Sequence, residues 1–396
     1  MQCGRPLLLR QPFAPDAFDQ VILGCVNVIA DEMNPARVAA LRLGMGDAMT
    51  AFTVQINCGS GMQSIDTAYR YIREGVSDLV LAGGAESLSH APLVFNRNAV
   101  GWYARLNGAR SAWSKLLTLL AFRPSFLTPV IGLERGLTDP ITDLNMGQTA
   151  ELVAHLFHIA RQQADGYAAE SQQRLARAQK EGWLKDEIEP AFARDGTLFD
   201  HDDGVRPDSS VESLAKLKPA FERPWGKVTP GNSSQITDGA SWVILASEAA
   251  VQKHKLQPKA VIVDSEWSAL DPSIMGLGPV LCSTALMKRH QLALGDIELW
   301  ELNEAFAAQV LACLAAWEDD GFCRTVLGLD GALGRIARDK LNVDGGAIGA
   351  GHPVGASGNR IVLHLVNAMK RLGLKRGIAT ECIGGGQGGA MLIEAI

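Results

Sequence analysis

"CGSGMQSIDTAYRYIREGVSDLVLAGGAE" (residues 58–86) and "GASGNRIVLHLVNAMKRLGLKRGIATECIGGG" (residues 355–386) follow one plan. Each has Ser-Gly, then an amphipathic stretch with the 3.6-residue period of a helix, then a turn, then an apolar run ending in glycines. Counted from Gly61 and Gly358, Ile65 falls opposite Val362 and Ile72 opposite Met369. The matching Ser-Gly punctuation reads as an internal duplication. Outward from the first copy, "DQVILGCVNV" (19–28) reads as a strand, "NPARVAALRLGM" as a helix and "FTVQIN" as a strand, with the next helix running from about Ser60 to Glu74. Strand alternating with helix predicts an α/β layered fold. The expectation is two related α/β halves, with functional groups where their turns meet.

Composition excludes several classes. The 396 residues are 47% hydrophobic and 20% charged, an ordinary globular balance long enough for two or three domains. A net charge of −6 gives no global attraction to nucleic acid. No apolar run approaches a membrane span, and no signal-peptide pattern opens the chain. "MQCGRPLLLRQPF" is basic and without acids until Asp16, but short for a transit peptide. Seven scattered cysteines with no CxxC argue for a reducing, cytoplasmic setting and against a disulfide framework or a metal site.

Residues 92–215 read differently, richer in helix and loop. "MGQTAELVAHLFHIARQQADGYAAESQQRLARAQKEG" (146–182) predicts two helices with Gly182 as the stop; His155 and His158, one turn apart on the first, read as surface histidines. "WYARLNGARSAWSKLLTLLAF" (102–122) sets Trp102, Leu106, Ala109, Trp113, Leu116 and Leu120 at three- and four-residue intervals, the stripe of one helix. From 92 to 133 there are five basic residues and no acid. That pattern fits an interfacial or partner-docking helix, or equally a helix packed on its own protein.

Cys58 stands where an apolar run ends, just before a helix. The helix dipole and free backbone N–H groups favour thiolate there, and Gly59 and Gly61 permit a sharp turn and a close substrate: the logic of a nucleophile elbow, against the alternative of a buried structural cysteine. His352, in "GGAIGAGHPVGASG" (345–358), lies at the duplicate of that turn, so the duplication would bring a base to the nucleophile. Cys382 ends the repeat's strand, and the glycines beyond it offer N–H donors suited to an oxyanion. Two close thiols would also suit a redox disulfide, but His352 would then have no role. Asn303, in "WELNEAFAAQVLACLAAW" (300–317), reads as an N-cap or as a polar group aimed into the cleft.

"NCGSGMQS", "NEAFAAQ", "GHPVGASG" and "CIGGGQGGAM", in this order, resemble the thiolase family, as do "VTPGNSSQITDGAS" (228–241) and "DDGVRPDSSVESLAKLKPAF" (202–221); the resemblance runs from Asp19 to Ile396. Ketoacyl synthases and hydroxymethylglutaryl-CoA synthases lack the pairing of NEAF with CxGGGxG. The resemblance implies duplicated α/β/α halves in five αβαβα layers, with a helical loop domain inserted in the N-terminal half. The implied division is 1–91 with 216–247 for the first half, 92–215 for the insert and 248–396 for the second half. Cys58 would be the acylated nucleophile and His352 would take its proton. Cys382 would protonate the leaving acetyl-CoA enolate and then deprotonate incoming CoA. Asn303, through a water, would join His352 in one oxyanion hole; the N–H groups of Cys58 and Gly384 would form the other. Coenzyme A would be co-substrate, with Arg206 near its phosphates, Ser213 near the adenine, Ser234 along the pantetheine and Met146 over the thioester; no permanently bound cofactor is implied. A homodimer or dimer of dimers is expected.

Two departures bear on the reading. The family opens with a further strand carrying Arg-Thr-Pro, and this chain starts after it, which predicts an exposed edge in one sheet. "LNMGQTAE" (144–151) carries Asn145 where acetoacetyl-CoA-forming members carry His. That, with the long 92–145 insert, resembles β-subunits of fatty-acid β-oxidation complexes, whose insert meets a hydratase/dehydrogenase partner subunit or a membrane. The expectation is therefore 3-ketoacyl-CoA thiolysis, with acetyl-CoA acetyltransferase chemistry or a non-catalytic lipid-binding scaffold as alternatives.

Overall fold

The computed structural model describes residues 1–193 and 195–396. The first sheet holds β1 (Gln20–Gly24), β2 (Thr50–Val54), β3 (Leu79–Ser87) and β4 (Asp238–Ala246) in the order β2-β1-β3-β4. β1 runs parallel to β2 (Gln20↔Thr50) and to β3 (Gln20↔Val80), and β4 closes antiparallel on β3 (Leu79↔Ala246). Parallel strands need crossovers: the helix Pro35–Arg42 carries the chain from β1 to β2, and α1 (Ser60–Arg73) carries it from β2 across to β3 on the other side of β1. In α1, Met62, Ile65 and Ala68 are buried at helical spacing, and Gly75, at φ +71, lies just past its end.

Between β3 and β4 the chain leaves the sheet. A short ribbon, Leu93–Phe95 paired with Pro129–Ile131, carries α2 (Arg97–Gly108) and α3 (Ala112–Leu120). The single helix expected over 102–122 is thus two. Ser111 caps α3 in a capping box with Ser114, and Ala109 is extended, so the continuous stripe is cut at its middle. Trp102 turns inward instead, its indole N–H donating to Thr118 O at 2.6 Å over a small core with Ala99 and Phe126. α4 (Met146–Leu156) and α5 (Arg161–Lys180) follow as two helices, and Gly182, at φ +73, stands just beyond them. His155 is in the last turn of α4, whereas His158 lies beyond it at φ +53, so the two do not share a helix face.

The second sheet holds β5 (Ala260–Ala269), β6 (Leu299–Leu302), β7 (Arg376–Ile383) and β8 (Gln387–Ala395) in the order β6-β7-β8-β5. β6 and β7 are parallel, and β7 and β8 form an antiparallel hairpin around Gly384–Gly386. The triplet β6-β7-β8 repeats β1-β3-β4. α6 (Gly278–Arg289) and α7 (Ala307–Glu318) cover its outer face, and α8 (Val354–Leu372) precedes β7 as α1 precedes β3.

β1, β3, β6, β7 and β8 are buried along most of their length, which is why they read as apolar runs, whereas β2 and β5 are half-buried. Ile22, Val80 and Ala82 of the first sheet and Leu299, Ala379 and Met391 of the second meet α1 and α8 in one inner core. Val21, Leu23 and Leu81 face outward onto the helix Pro35–Arg42; Trp300, Leu302 and Ile378 face outward onto α4 to α7. The layers are helix, sheet, helix pair, sheet, helix. At the centre the two Ser-Gly turns cross. A Cβ on Gly61 would stand 2.6 Å from Asn359 N, and one on Gly358 2.6 Å from Met62 N, so only glycine fits at either position. β4 is an edge of the first sheet; Gly4, in a short helix (Gly4–Leu9), packs against its Trp242.

Candidate active site

The turn at residues 56–60 is built by Ser60, whose Oγ accepts from Ile56 N (2.9 Å) and donates to Asn57 O (2.7 Å). Asn57 adopts φ +45, a left-handed conformation that Asn tolerates better than most residues, and Cys58 follows it, half-buried. Asn57 Nδ2 donates to Gly384 O at 2.7 Å, so the two halves are tied together beside Cys58. The N–H groups of Gly384 and of Cys58 itself are placed to bond the Cys58 sulfur. A thiolate expected from those donors is not the resting state. Burial outweighs them, with Glu381 and Glu86 adding repulsion, and the thiol is pushed up to about 11.

His352 is buried in the loop before α8. Its Nδ1 lies 2.6 Å from Ser357 Oγ, and that hydroxyl also donates to Pro353 O at 3.1 Å. With its one proton so placed, Ser357 accepts from Nδ1–H, which leaves the Nε2 lone pair free. Nε2 is buried and makes no hydrogen bond among the described residues. Burial, then the charge of Arg360, lowers His352 to about 3, so the imidazole is neutral at neutral pH. A neutral ring with a free Nε2 is what a proton acceptor needs. Cys382 ends β7 fully buried; burial first, then the neighbouring Cys58, pushes its thiol well up.

Cys58, His352, Cys382, Gly384, Met146, Arg206 and Ser234 line one cavity of about 1120 Å³. Two expected residues are not in its wall. Ser213 is exposed, and its hydroxyl serves the capping box of the turn Val211–Leu214. Asn303 is buried behind the wall. The N-cap alternative also fails for it: α7 begins at Ala307, and both amide atoms of Asn303 are buried without a partner among the described residues. An amide left with four unused bonding directions has the capacity to hold a water.

Sequence reading missed three supports. Ser357 orients His352, though its position in the Ser-Gly repeat was visible. Glu86 accepts from Val26 N, Asn27 N and Gly355 N at 2.9–3.1 Å and so fastens the start of α8 to the first half. Glu304, next to Asn303, receives Tyr167 OH (2.8 Å), Ser171 Oγ (2.6 Å), Asn342 Nδ2 (3.1 Å) and Ile348 N (3.2 Å), anchoring the loop that leads to His352. Nothing in the local pattern marks a buried carboxylate whose partners lie so far away in sequence. Among the described residues, no cluster of His, Cys, Asp and Glu is placed to hold a metal ion.

Comparison with known proteins is consistent from end to end. Residues 2–249 match the family "Thiolase, N-terminal domain" and residues 256–395 match "Thiolase, C-terminal domain". The chain is 39% identical over 388 residues to a β-ketoadipyl-CoA thiolase of Pseudomonas aeruginosa, covering 96% of this chain and 88% of that one. It is 37% identical over 394 residues to an acetyl-CoA acetyltransferase of Chromobacterium violaceum, covering 98% and 91%. Among solved structures, it superposes with a TM-score of 0.84 on human mitochondrial 3-ketoacyl-CoA thiolase in complex with CoA, at 36% identity, covering 100% of this chain and 91% of that one.

Proposed function

The chain belongs to the thiolase family and is an acyltransferase, and from that premise we propose that it is a 3-ketoacyl-CoA thiolase of fatty-acid β-oxidation. One observation carries the reading: the cavity that gathers Cys58, His352, Cys382 and Gly384 continues along an apolar wall of Leu88, Leu133, Leu137 and Ile141, room for an acyl chain longer than acetyl.

The steps follow from the groups in place. His352 Nε2 takes the Cys58 proton as the sulfur attacks the 3-keto carbon, with the Cys58 and Gly384 N–H groups receiving the developing oxyanion. The bond between C2 and C3 breaks, the electron pair goes to the enolate of acetyl-CoA, and Cys382 supplies the proton at C2. Asn303, through a water, and His352 stabilise that enolate's oxygen. Cys382, now a thiolate, takes the proton of incoming CoA, whose sulfur attacks the acyl–Cys58 thioester; the shortened acyl-CoA is released as Cys58 leaves and recovers its proton from His352. Because both thiols are held above their usual range, each proton stays on sulfur until a reacting partner removes it. Arg206 and Ser234 line the cavity where CoA would lie.

Homodimerisation and a cytoplasmic setting are part of the same proposal, carried from the family resemblance and the scattered free cysteines. So is a docking role for the α2–α3 hairpin, for which the charge pattern favours an anionic lipid surface over a partner subunit.

The test is CoA-dependent thiolysis of a series from 3-ketobutyryl-CoA to 3-ketohexadecanoyl-CoA. Activity rising with chain length is expected, and Cys58→Ala should lower it at least about a thousandfold. Activity confined to acetoacetyl-CoA would make the protein an acetyl-CoA acetyltransferase. Intact fold without turnover, and a Cys58 inert to acyl-CoA, would leave the scaffold reading.

A further inference from the structure

Among the described residues, the titratable groups of the cavity wall, apart from the two reacting cysteines, are Glu134, Asp139, Arg206 and His352. They are not mixed. Arg206 is tied by its N–H to Gln172 Oε1 (2.8 Å), and Gln172 Nε2 donates to Ile348 O (3.1 Å), which fixes it on the side of the loop that carries His352. Glu134 and Asp139 belong to a different segment, residues 132–146, which forms the Met146 wing of the wall. There Asp139 N donates to Leu144 O (2.8 Å) and Met146 N to Leu137 O (2.9 Å), folding residues 137–146 against Met146, with Leu88 and Leu133 in the same wall. Asp139 is buried, its Oδ1 held by Ile141 N and Thr142 N; Glu134 is exposed and in no ion pair among the described residues. Among the described residues, no lysine or arginine lines this wing.

We propose that this charge division excludes acyl chains that end in a carboxylate and confines the enzyme to uncharged 3-ketoacyl groups. The inference rests on the thiolase reading above and sharpens its substrate class. A terminal carboxylate entering the Met146 wing would leave water, meet no cation and approach two like charges. The CoA phosphates meet the opposite condition: Arg206 attracts them at one wing, and the acidic wing repels them. The same division therefore orients the thioester with its acyl end past Cys58 and opposes reversed entry. An uncharged chain loses nothing by passing Glu134 and gains contact with Leu88, Leu133 and Leu137.

The experiment compares 3-ketohexanoyl-CoA with 3-ketoadipyl-CoA, which have the same backbone length and differ in the terminal carboxylate. The ratio of their kcat/KM values on the full-length protein should favour the uncharged ester by about a hundredfold or more. Glu134→Lys should reduce that ratio by at least about tenfold, and Glu134→Gln, which keeps size and polarity, should reduce it in the same direction. Calorimetric binding of both esters to Cys58→Ala reads the same preference without turnover. Ratios within about threefold of unity, in turnover or in binding, would overturn the proposal. Failure of the intact protein to cleave either ester would count against the proposed thiolysis, and the binding ratio on Cys58→Ala would still decide the selectivity.

Discussion

At Cys58 two opposing influences act on one sulfur. The helix terminus and two backbone N–H groups favour the anion; burial and the nearby carboxylates favour the thiol, and they win. The consequence is measurable. With the thiol raised to about 11, the thiolate fraction, and with it the rate of iodoacetamide alkylation, should rise about tenfold per pH unit from neutrality to about pH 10. A plateau beginning below pH 8 would mean a resting thiolate–imidazolium pair and would contradict the neutral His352. His352, lowered to about 3, should add no inflection near its ordinary value. For stability the sign is the reverse of a paired histidine's. The native ring resists protonation while the unfolded ring accepts it below about 6.5, so His352 opposes folding increasingly as pH falls from there toward 3. At Cys382 the expected outcome is a split. Cys382→Ser should still release one equivalent of acetyl-CoA slowly and accumulate acyl–Cys58, visible by mass spectrometry, while steady turnover falls at least about a hundredfold. Wild-type turnover in that variant would remove Cys382 from the proton path. These positions were legible because glycines flank reactive side chains at both duplicated turns. The protonation of Cys58 was not legible, because it depends on burial in the folded chain and on groups as distant in sequence as Glu381 and Gly384.

The α2–α3 hairpin shows how an element can be misread for a local reason. Its apolar spacing is helical throughout, but Gly108 ends one helix and Ser111 caps the next, a signal present in the sequence and weaker than the stripe that crosses it. The break matters for function because it makes two helices share a small core and turn their remaining apolar side chains outward. Trp113 is 68% and Leu120 74% exposed, with Leu116, Leu117 and Leu119 beside them. Arg97, Arg105, Arg110, Lys115 and Arg123 are exposed around this surface, and no acid lies between 92 and 133. Two such patches would repel each other, and each suits an anionic bilayer, where basic residues contribute about 1 kcal/mol apiece and Trp and Leu insert. No helix among the described residues is long and apolar enough to cross a membrane, so the contact would be peripheral. The ribbon below the hairpin joins it to Ala91 and Gly132 of the cavity wall, which would set the acyl wing close to the lipid. The full-length protein should sediment with phosphatidylglycerol vesicles and not with phosphatidylcholine ones. Trp113→Glu with Leu120→Glu should weaken that partition at least about tenfold. Equal sedimentation of the double variant would exclude the hairpin as the contact.

For the molecule as a whole, the decisive contact is where the two halves cross. Gly61 lies in the first turn of α1 and Gly358 one turn into α8, and each leaves no room for a Cβ against the backbone of the other helix. The repeat was readable because the crossing demands the same residue twice. The placement of Ser213 outside the cavity and Asn303 behind it was not, since each depends on how a distant layer packs. Two effects compete in Gly61→Ala. Helix propensity alone would stabilise by about 1 kcal/mol. Against it, a Cβ 2.6 Å from Asn359 N forces α1 and α8 apart, and overpacking of this kind costs about 1–3 kcal/mol or more. The expected net is destabilisation, read as a lower urea midpoint with unchanged slope. The crossing also sets the separation of Cys58, just before α1, from His352, just before α8. Gly61→Ala should therefore slow acylation of Cys58 by acyl-CoA in protein that remains folded, with a smaller effect on acyl-CoA binding, because the cavity walls at Arg206 and Leu137 do not rest on this contact. A raised urea midpoint, or wild-type acylation in the folded variant, would mean that the halves are registered elsewhere, with the Glu86 bond to Gly355 N as the next position to replace.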